Sequence, residues 1–192
     1  AMYLDEFTAE ELRGYAEKAY GPNKFDTPAV APLVKVGERT HVLELWHGPT
    51  CAFKDMALQM LPYLLTASLR KTGETRTACI LVATSGDTGK AALEGFRDVP
   101  HTKILVFYPR DGVSDVQKLQ MVTQEGGNVG VCAVEGNFDD AQTGVKKIFS
   151  DPAVRGVVER IAPEYLTHEL SAADSVEKAA FTRAQNALLE GL

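Results

Sequence analysis

No apolar stretch in this sequence reaches the ~18 uninterrupted residues of a membrane-spanning helix, so no membrane partner is expected. Asp5, Glu6, Glu10 and Glu11 break up any apolar leader, so no signal peptide is expected either. Cysteine is scarce and odd in number. Cys51, Cys79 and Cys132 are far apart, which argues against a disulfide frame, and no Cys-x-x-Cys pair is present for zinc. Cys79 and Cys132 fall in apolar, strand-like runs, which points to reduced, buried thiols and a cytoplasmic location. The four histidines, His41, His47, His101 and His168, show no metal-type spacing. There is no Lys/Arg cluster, and the net charge of -6 argues against nucleic acid as the main partner. Neither Gly-x-x-x-x-Gly-Lys-Ser/Thr nor Gly-x-Gly-x-x-Gly can be laid on the chain, which counts against a Walker-type ATPase and a nicotinamide dehydrogenase.

What is present is ordinary for a globular protein: 192 residues, 45% apolar and 24% charged, enough for one good core or two small lobes. The pattern predicts a first helix over Glu10–Tyr20, with Thr8 as N-cap and Gly21-Pro22 as the stop. A loop over 23–32 is followed by short strands at 33–36 and 40–45. Leu58, Leu61, Leu65 and Leu69 recur at helical spacing from Asp55 to Lys71, with Pro62 expected to kink that helix.

Beyond Gly73 the period changes. Continuous apolar runs at 78–83, 103–108 and 128–134 alternate with helical patterns at 87–96, 114–124 and 139–149, with Ser114 as a cap. The β-α-β-α-β-α order predicts an α/β fold with a parallel sheet and right-handed crossovers in three layers. Two further helices are expected at 152–166 and 174–189, the second with an apolar stripe of Val176, Ala180, Phe181, Ala184 and Leu188.

Two segments carry chemistry. His47-Gly48-Pro49-Thr50-Cys51-Ala52-Phe53-Lys54-Asp55 is a rigid turn running into a helix. Burial behind Ala52 and Phe53, together with the positive end of a helix opened by Asp55, would favour a neutral Lys54 amine. A neutral amine can attack an aldehyde and carry a Schiff-base cofactor. Thr84-Ser85-Gly86-Asp87-Thr88-Gly89 lies where an apolar strand hands over to a helix. Glycine lets the backbone approach a ligand, and free N–H groups at a helix start attract a carboxylate or phosphate. The alternative is a plain strand–turn–helix connection with Asp87 as a cap. His47 is expected to be a hydrogen-bonded turn residue rather than a general base, and Asp139-Asp140 helix-capping residues rather than a metal pair. Trp46 is expected in the core or a site wall, and Lys146-Lys147 on solvated surface.

Together the two segments, in this order and ~30 residues apart, resemble threonine synthase, a pyridoxal-phosphate enzyme of the tryptophan synthase β-like fold. Tyr108-Pro109, Val113-Ser114, Gln117 with Gln120-Met121, and residues Val134 to Asp140 follow the same pattern, so the resemblance runs from about Glu10 to Asp151. It implies that Lys54 forms the Schiff base with pyridoxal phosphate and later moves protons. Phe53 would wall the cofactor, and Asp87 would lie beside its ring oxygen. Thr84, Ser85, Gly86 and Thr88 would hold the substrate carboxylate. The implied reaction converts O-phosphohomoserine and water to threonine and phosphate. Another pyridoxal-phosphate lyase, such as a threonine dehydratase or a threonine-synthase-like phospho-lyase, and a non-catalytic interaction module are the alternatives.

The resemblance divides the chain into 1–72, a partial large-lobe segment with the lysine, 73–151, a small α/β domain, and 152–192, a helical tail. The family's early Ser-Thr-Arg element, its Asn-Ser-x-Asn-Trp stretch and its glycine-rich phosphate cup find no match. Gly136-Asn137-Phe138 reads as structural. A truncated chain that binds pyridoxal phosphate weakly or not at all, with little activity alone and a tendency to self-associate, is therefore expected.

Overall fold

The computed structural model describes residues 6–153 together with Tyr165 and Leu166. Helix α1, Ala9–Tyr20, begins at Thr8, whose hydroxyl accepts from the Glu11 N–H while the Glu11 carboxylate accepts from the Thr8 N–H. This reciprocal box satisfies two N–H groups that the helix itself leaves unpaired. Strands β1 (Leu33–Lys35) and β2 (His41–Leu43) then pair antiparallel as an isolated hairpin. Every residue in the two strands is exposed, and Leu33 and Leu43 oppose one another across the ladder.

The single kinked helix expected over 55–71 is two helices, α2 (Asp55–Leu58) and α3 (Leu61–Lys71). Pro62 stands in the first turn of α3, where its missing N–H would have had no partner anyway. The proline therefore starts a second helix instead of bending the first.

Strands β3 (Thr77–Ala83), β4 (Thr102–Pro109) and β5 (Val129–Val134) form the predicted parallel sheet, joined through α4 (Asp87–Phe96) and α5 (Asp115–Val122). Helix α6 (Phe138–Ser150) follows β5 and packs on β3 and β4. The sheet order is β5-β4-β3-β6, where β6 is Tyr165–Leu166, parallel to β3. That strand corrects the helix expected to extend to Leu166. The rest of the expected 152–166 helix beyond Ala153, and the whole of 174–189, lie outside the described residues.

Alternation along β4 defines the layers. Ile104, Val106 and Tyr108 are buried with Ala92, Leu93 and Phe96 of α4 and Met121 of α5 in one cluster. Side chains of a strand alternate between faces, so Leu105 and Phe107, half-buried, point to the other side. Right-handed crossovers place α4 and α5 together on the first face and α6 on the second. The fold is thus the α/β arrangement expected, with helices on both sides of a parallel sheet.

Two expectations about burial are corrected. All three cysteines are free, but Cys132 is exposed and Cys79 only half-buried, because β5 is an edge strand and β3 is incompletely covered. Of the two places expected for Trp46 the core is overturned, since it is 50% exposed and stacks on the His47 ring of the lysine turn. No described helix is long and apolar enough to cross a membrane.

Candidate active site

The lysine turn is built around a buried carboxylate. Asp55, the first residue of α2, is 1% exposed and reaches back over its own turn. Its Oδ2 accepts from the Thr50 N–H at 2.8 Å and its Oδ1 from the Thr50 hydroxyl at 2.7 Å. Burial pushes the Asp55 carboxyl up from its ordinary value, and the Thr50 hydrogen bonds oppose that rise. Gly48 is needed beneath it, since a Cβ there would stand 2.6 Å from the Asp55 Oδ2. Cys51 takes φ +56°, which brings the chain sharply round toward Lys54.

Lys54 is half-buried at the N-cap of α2, less covered than the sequence implied, and Phe53 is 54% exposed. The ammonium lies 4.7 Å over the Phe53 ring. Among the described residues its Nζ has no hydrogen bond or ion pair. The amine is held on an apolar surface and is not engaged by a carboxylate.

His47 is a structural residue of this turn. Its Nε2 contacts the Glu44 Oε2 at 2.8 Å and its Nδ1 the Asp26 Oδ1 at 2.6 Å, and these hydrogen bonds, Glu44 first, raise its pKa. A ring with both nitrogens committed is not free to act as a general base.

The glycine turn is built the other way round, from its first residue. Thr84, 1% exposed, accepts on its hydroxyl from the Gly86 N–H at 3.0 Å and the Gly89 N–H at 2.9 Å, and donates to the Gly86 carbonyl at 3.2 Å. All the partners of this hydroxyl are inside the turn, while the Thr84 N–H donates to the Phe107 carbonyl of β4 at 2.9 Å. Gly86, at φ +146°, is the N-cap of α4, so Asp87 is the first helical residue and not the cap. A Cβ on Gly89 would run into Thr84, Val106 and Met121, so glycine there lets the helix sit down on the sheet. Ser85 and Asp87 are exposed and Thr88 is half-buried.

Both turns meet on α4. A Cβ on Gly95 would collide with the Leu58 carbonyl oxygen, so α2 packs directly on α4. Asp55 is electrostatically coupled to Lys90 and Glu94, one and two turns along that helix from Asp87. Burial lowers the Lys90 pKa. Its ammonium donates to the Gln124 carbonyl oxygen, while the Gln124 amide donates to Glu94 at 3.1 Å. Lys24 reaches the same Glu94 at 3.5 Å.

Sequence reasoning passed over Gln117 as a site residue. Its amide donates to the Asp87 Oδ1 at 2.8 Å, across a separation of 30 residues. Its only local signal was its place three residues after the Ser114 cap. Asn137 caps α6: its side chain accepts from the Asp139 and Asp140 N–H groups, and the Asp140 carboxylate accepts in return from the Asn137 N–H. Of the expected pair only the Asp140 side chain takes part in the cap, and no metal-ligand cluster occurs among the described residues.

No family model matches the chain. A threonine synthase of Pseudomonas aeruginosa is 50% identical over 141 residues, which are 73% of this chain and 29% of that protein. Among solved structures, a pyridoxal-phosphate-bound threonine synthase from Brucella melitensis superposes with TM-score 0.70 at 42% identity, covering 77% of this chain and 31% of that one. The yeast threonine synthase superposes with TM-score 0.71 at 37% identity, covering 79% and 31%. The chain therefore spans about three tenths of the length of the relatives it matches.

Proposed function

Because the chain is akin in sequence and fold to part of the threonine synthases, members of the tryptophan synthase β-like fold, we propose that it carries the lysine and carboxylate-binding elements of a threonine-synthase-type lyase. The observation that supports this most is the Lys54 amine, set on the Phe53 ring with no polar partner among the described residues. These residues fit the aldehyde end of pyridoxal phosphate. Lys54 would hold that aldehyde covalently, Phe53 would form an apolar wall, and Asp87 would face the ring oxygen. When bound, pyridoxal phosphate supplies an electron sink for charge developing on the substrate.

The chain's own residues account for the rest. Ser85 and Thr88 offer hydroxyls to the carboxylate of O-phosphohomoserine, while the buried Thr84 and Gly86, bonded to one another, keep the loop in shape. The Lys54 amine would be the base that moves protons at the substrate carbons. Thr50 and Asp55 hold the turn that aims it. The products are threonine and phosphate. In this reading residues 1–72 bring the lysine and 73–151 bring the carboxylate loop. The three free thiols support a reducing, cytoplasmic setting.

The test is titration with pyridoxal phosphate, followed by borohydride reduction and peptide mapping. A weak visible absorbance band, reached only at high pyridoxal phosphate and lost in Lys54→Ala, with the label on Lys54, is the expected result. A band unchanged in Lys54→Ala, or label on other lysines, overturns the assignment. Phosphate release from O-phosphohomoserine supports the threonine synthase reaction, whereas ammonia release from threonine would move the chain to a dehydratase.

A further inference from the structure

Two glutamines, Gln117 of α5 and Gln124 just past its end, grip α4, and the first of them holds Asp87, the residue proposed to face the cofactor ring oxygen. Gln117 is locked at its carbonyl end: its Oε1 accepts from the Ser114 N–H at 3.2 Å and from the Ser114 hydroxyl at 3.1 Å. The Ser114 N–H can only donate, so the oxygen of the Gln117 amide must face it and the nitrogen must face Asp87. That nitrogen donates to the Asp87 Oδ1 at 2.8 Å. The same side chain closes against Gly86, where any Cβ would collide with its amide. At the other end of α5, Gln124 takes Lys90 and Glu94 of α4, so the two helices cannot slide past one another without breaking polar contacts at both ends.

One oxygen of Asp87 is therefore tied, and Oδ2 has no partner among the described residues. A carboxylate held by one oxygen is restricted in its rotation and turns the other away from that partner. We propose that Gln117 is a positioning residue, which orients the Asp87 carboxylate toward the group bound beside Lys54. This rests on the function proposed above. The chemistry required of that group is an oxygen or nitrogen that can share a proton with a carboxylate, as the ring oxygen of pyridoxal phosphate can.

Gln117→Glu is the discriminating variant. It keeps the acceptor for Ser114, and with it the helix cap, but removes the donor to Asp87 and sets two carboxyl groups within hydrogen-bond distance. In the protein without cofactor, carbon-detected NMR titration of the carboxyl groups is expected to show the pair at positions 87 and 117 titrating in two separated steps, one above the ordinary carboxylate range. With pyridoxal phosphate, Gln117→Glu is expected to bind about tenfold or more weakly and to shift the pH profile of the visible band, since a hydrogen bond to a charged group is lost. The exchanged pair Asp87→Asn with Gln117→Glu restores one acid and one amide across the same gap. It is expected to recover thermal stability but not cofactor affinity or the pH profile.

Independent, ordinary titration at 87 and 117 overturns the contact itself. Full recovery of the pH profile by the exchanged pair, or an unchanged profile in Gln117→Glu, overturns the positioning role. If the wild-type protein shows no Lys54-dependent band, the proposed function fails, while the NMR titration still decides the Gln117–Asp87 contact.

Discussion

The lysine turn and the glycine turn both deliver the chain into a helix, but they are anchored from opposite ends. In the first, the anchor is Asp55, the residue after the turn, which reaches back to Thr50. In the second it is Thr84, the residue before the turn, which reaches forward to Gly86 and Gly89. Each anchor is 1% exposed, and each has a far more open neighbour, Lys54 beside Asp55 and Ser85 beside Thr84. Burial and exposure thus alternate between adjacent residues. The buried polar group satisfies its turn, and the next side chain is left more open to solvent.

This division predicts unequal consequences within each turn. Asp55→Ala is expected to cost most, about 2–3 kcal/mol, because it strands the buried N–H and hydroxyl of Thr50. A shift in the urea midpoint measures it, and a loss below about 0.5 kcal/mol would show that Asp55 is not the anchor. Thr84→Val keeps the shape but removes the acceptor for two loop N–H groups, for an expected loss of about 1–2 kcal/mol. Ser85→Ala, one residue on, is expected to stay within about 0.5 kcal/mol while weakening substrate-carboxylate binding. Equal losses for Thr84→Val and Ser85→Ala would break the comparison.

The smallest effect is expected from pH. The pKa of His47 is raised in the fold by Glu44 and Asp26, so its stabilising contribution is fully present below the unfolded value and is lost as pH rises through the folded one. Urea midpoints measured from about pH 6 to pH 8 should fall with rising pH more steeply in the wild type than in His47→Gln. Parallel curves would show that the histidine contributes no pH-dependent support to the lysine turn.

A second contrast concerns the strands. Sequence pattern alone indicated both the 33–45 hairpin and the parallel strands, yet only the latter are covered. Leu33, Val36 and Leu43 are 64%, 60% and 49% exposed, whereas Ile104 and Val106 are 2% and 0% exposed. Period and turn residues report that a segment is extended, but not what lies over it. The same limit explains Trp46 and Cys132, whose apolar character suggested burial that their positions do not provide.

What the sequence determined by itself is everything closed by short-range hydrogen bonds. Thr8, Ser114 and Asn137 each cap a helix with a partner three residues on, and Asp55 and Asp87 open theirs where the pattern changes. Such rings close within a few residues, so spacing alone encodes them, and the order of elements gave the parallel sheet. The tertiary structure decided the rest: β6 beside β3, α2 against Gly95 of α4, and Gln117 on Asp87. Those contacts join residues 30 or more positions apart, and they exist only because the helices pack on a common sheet and on one another. Lys54 could be singled out from its motif, but its half-buried seat and the Gln117 hydrogen bond on Asp87 depend on neighbours that no local pattern names.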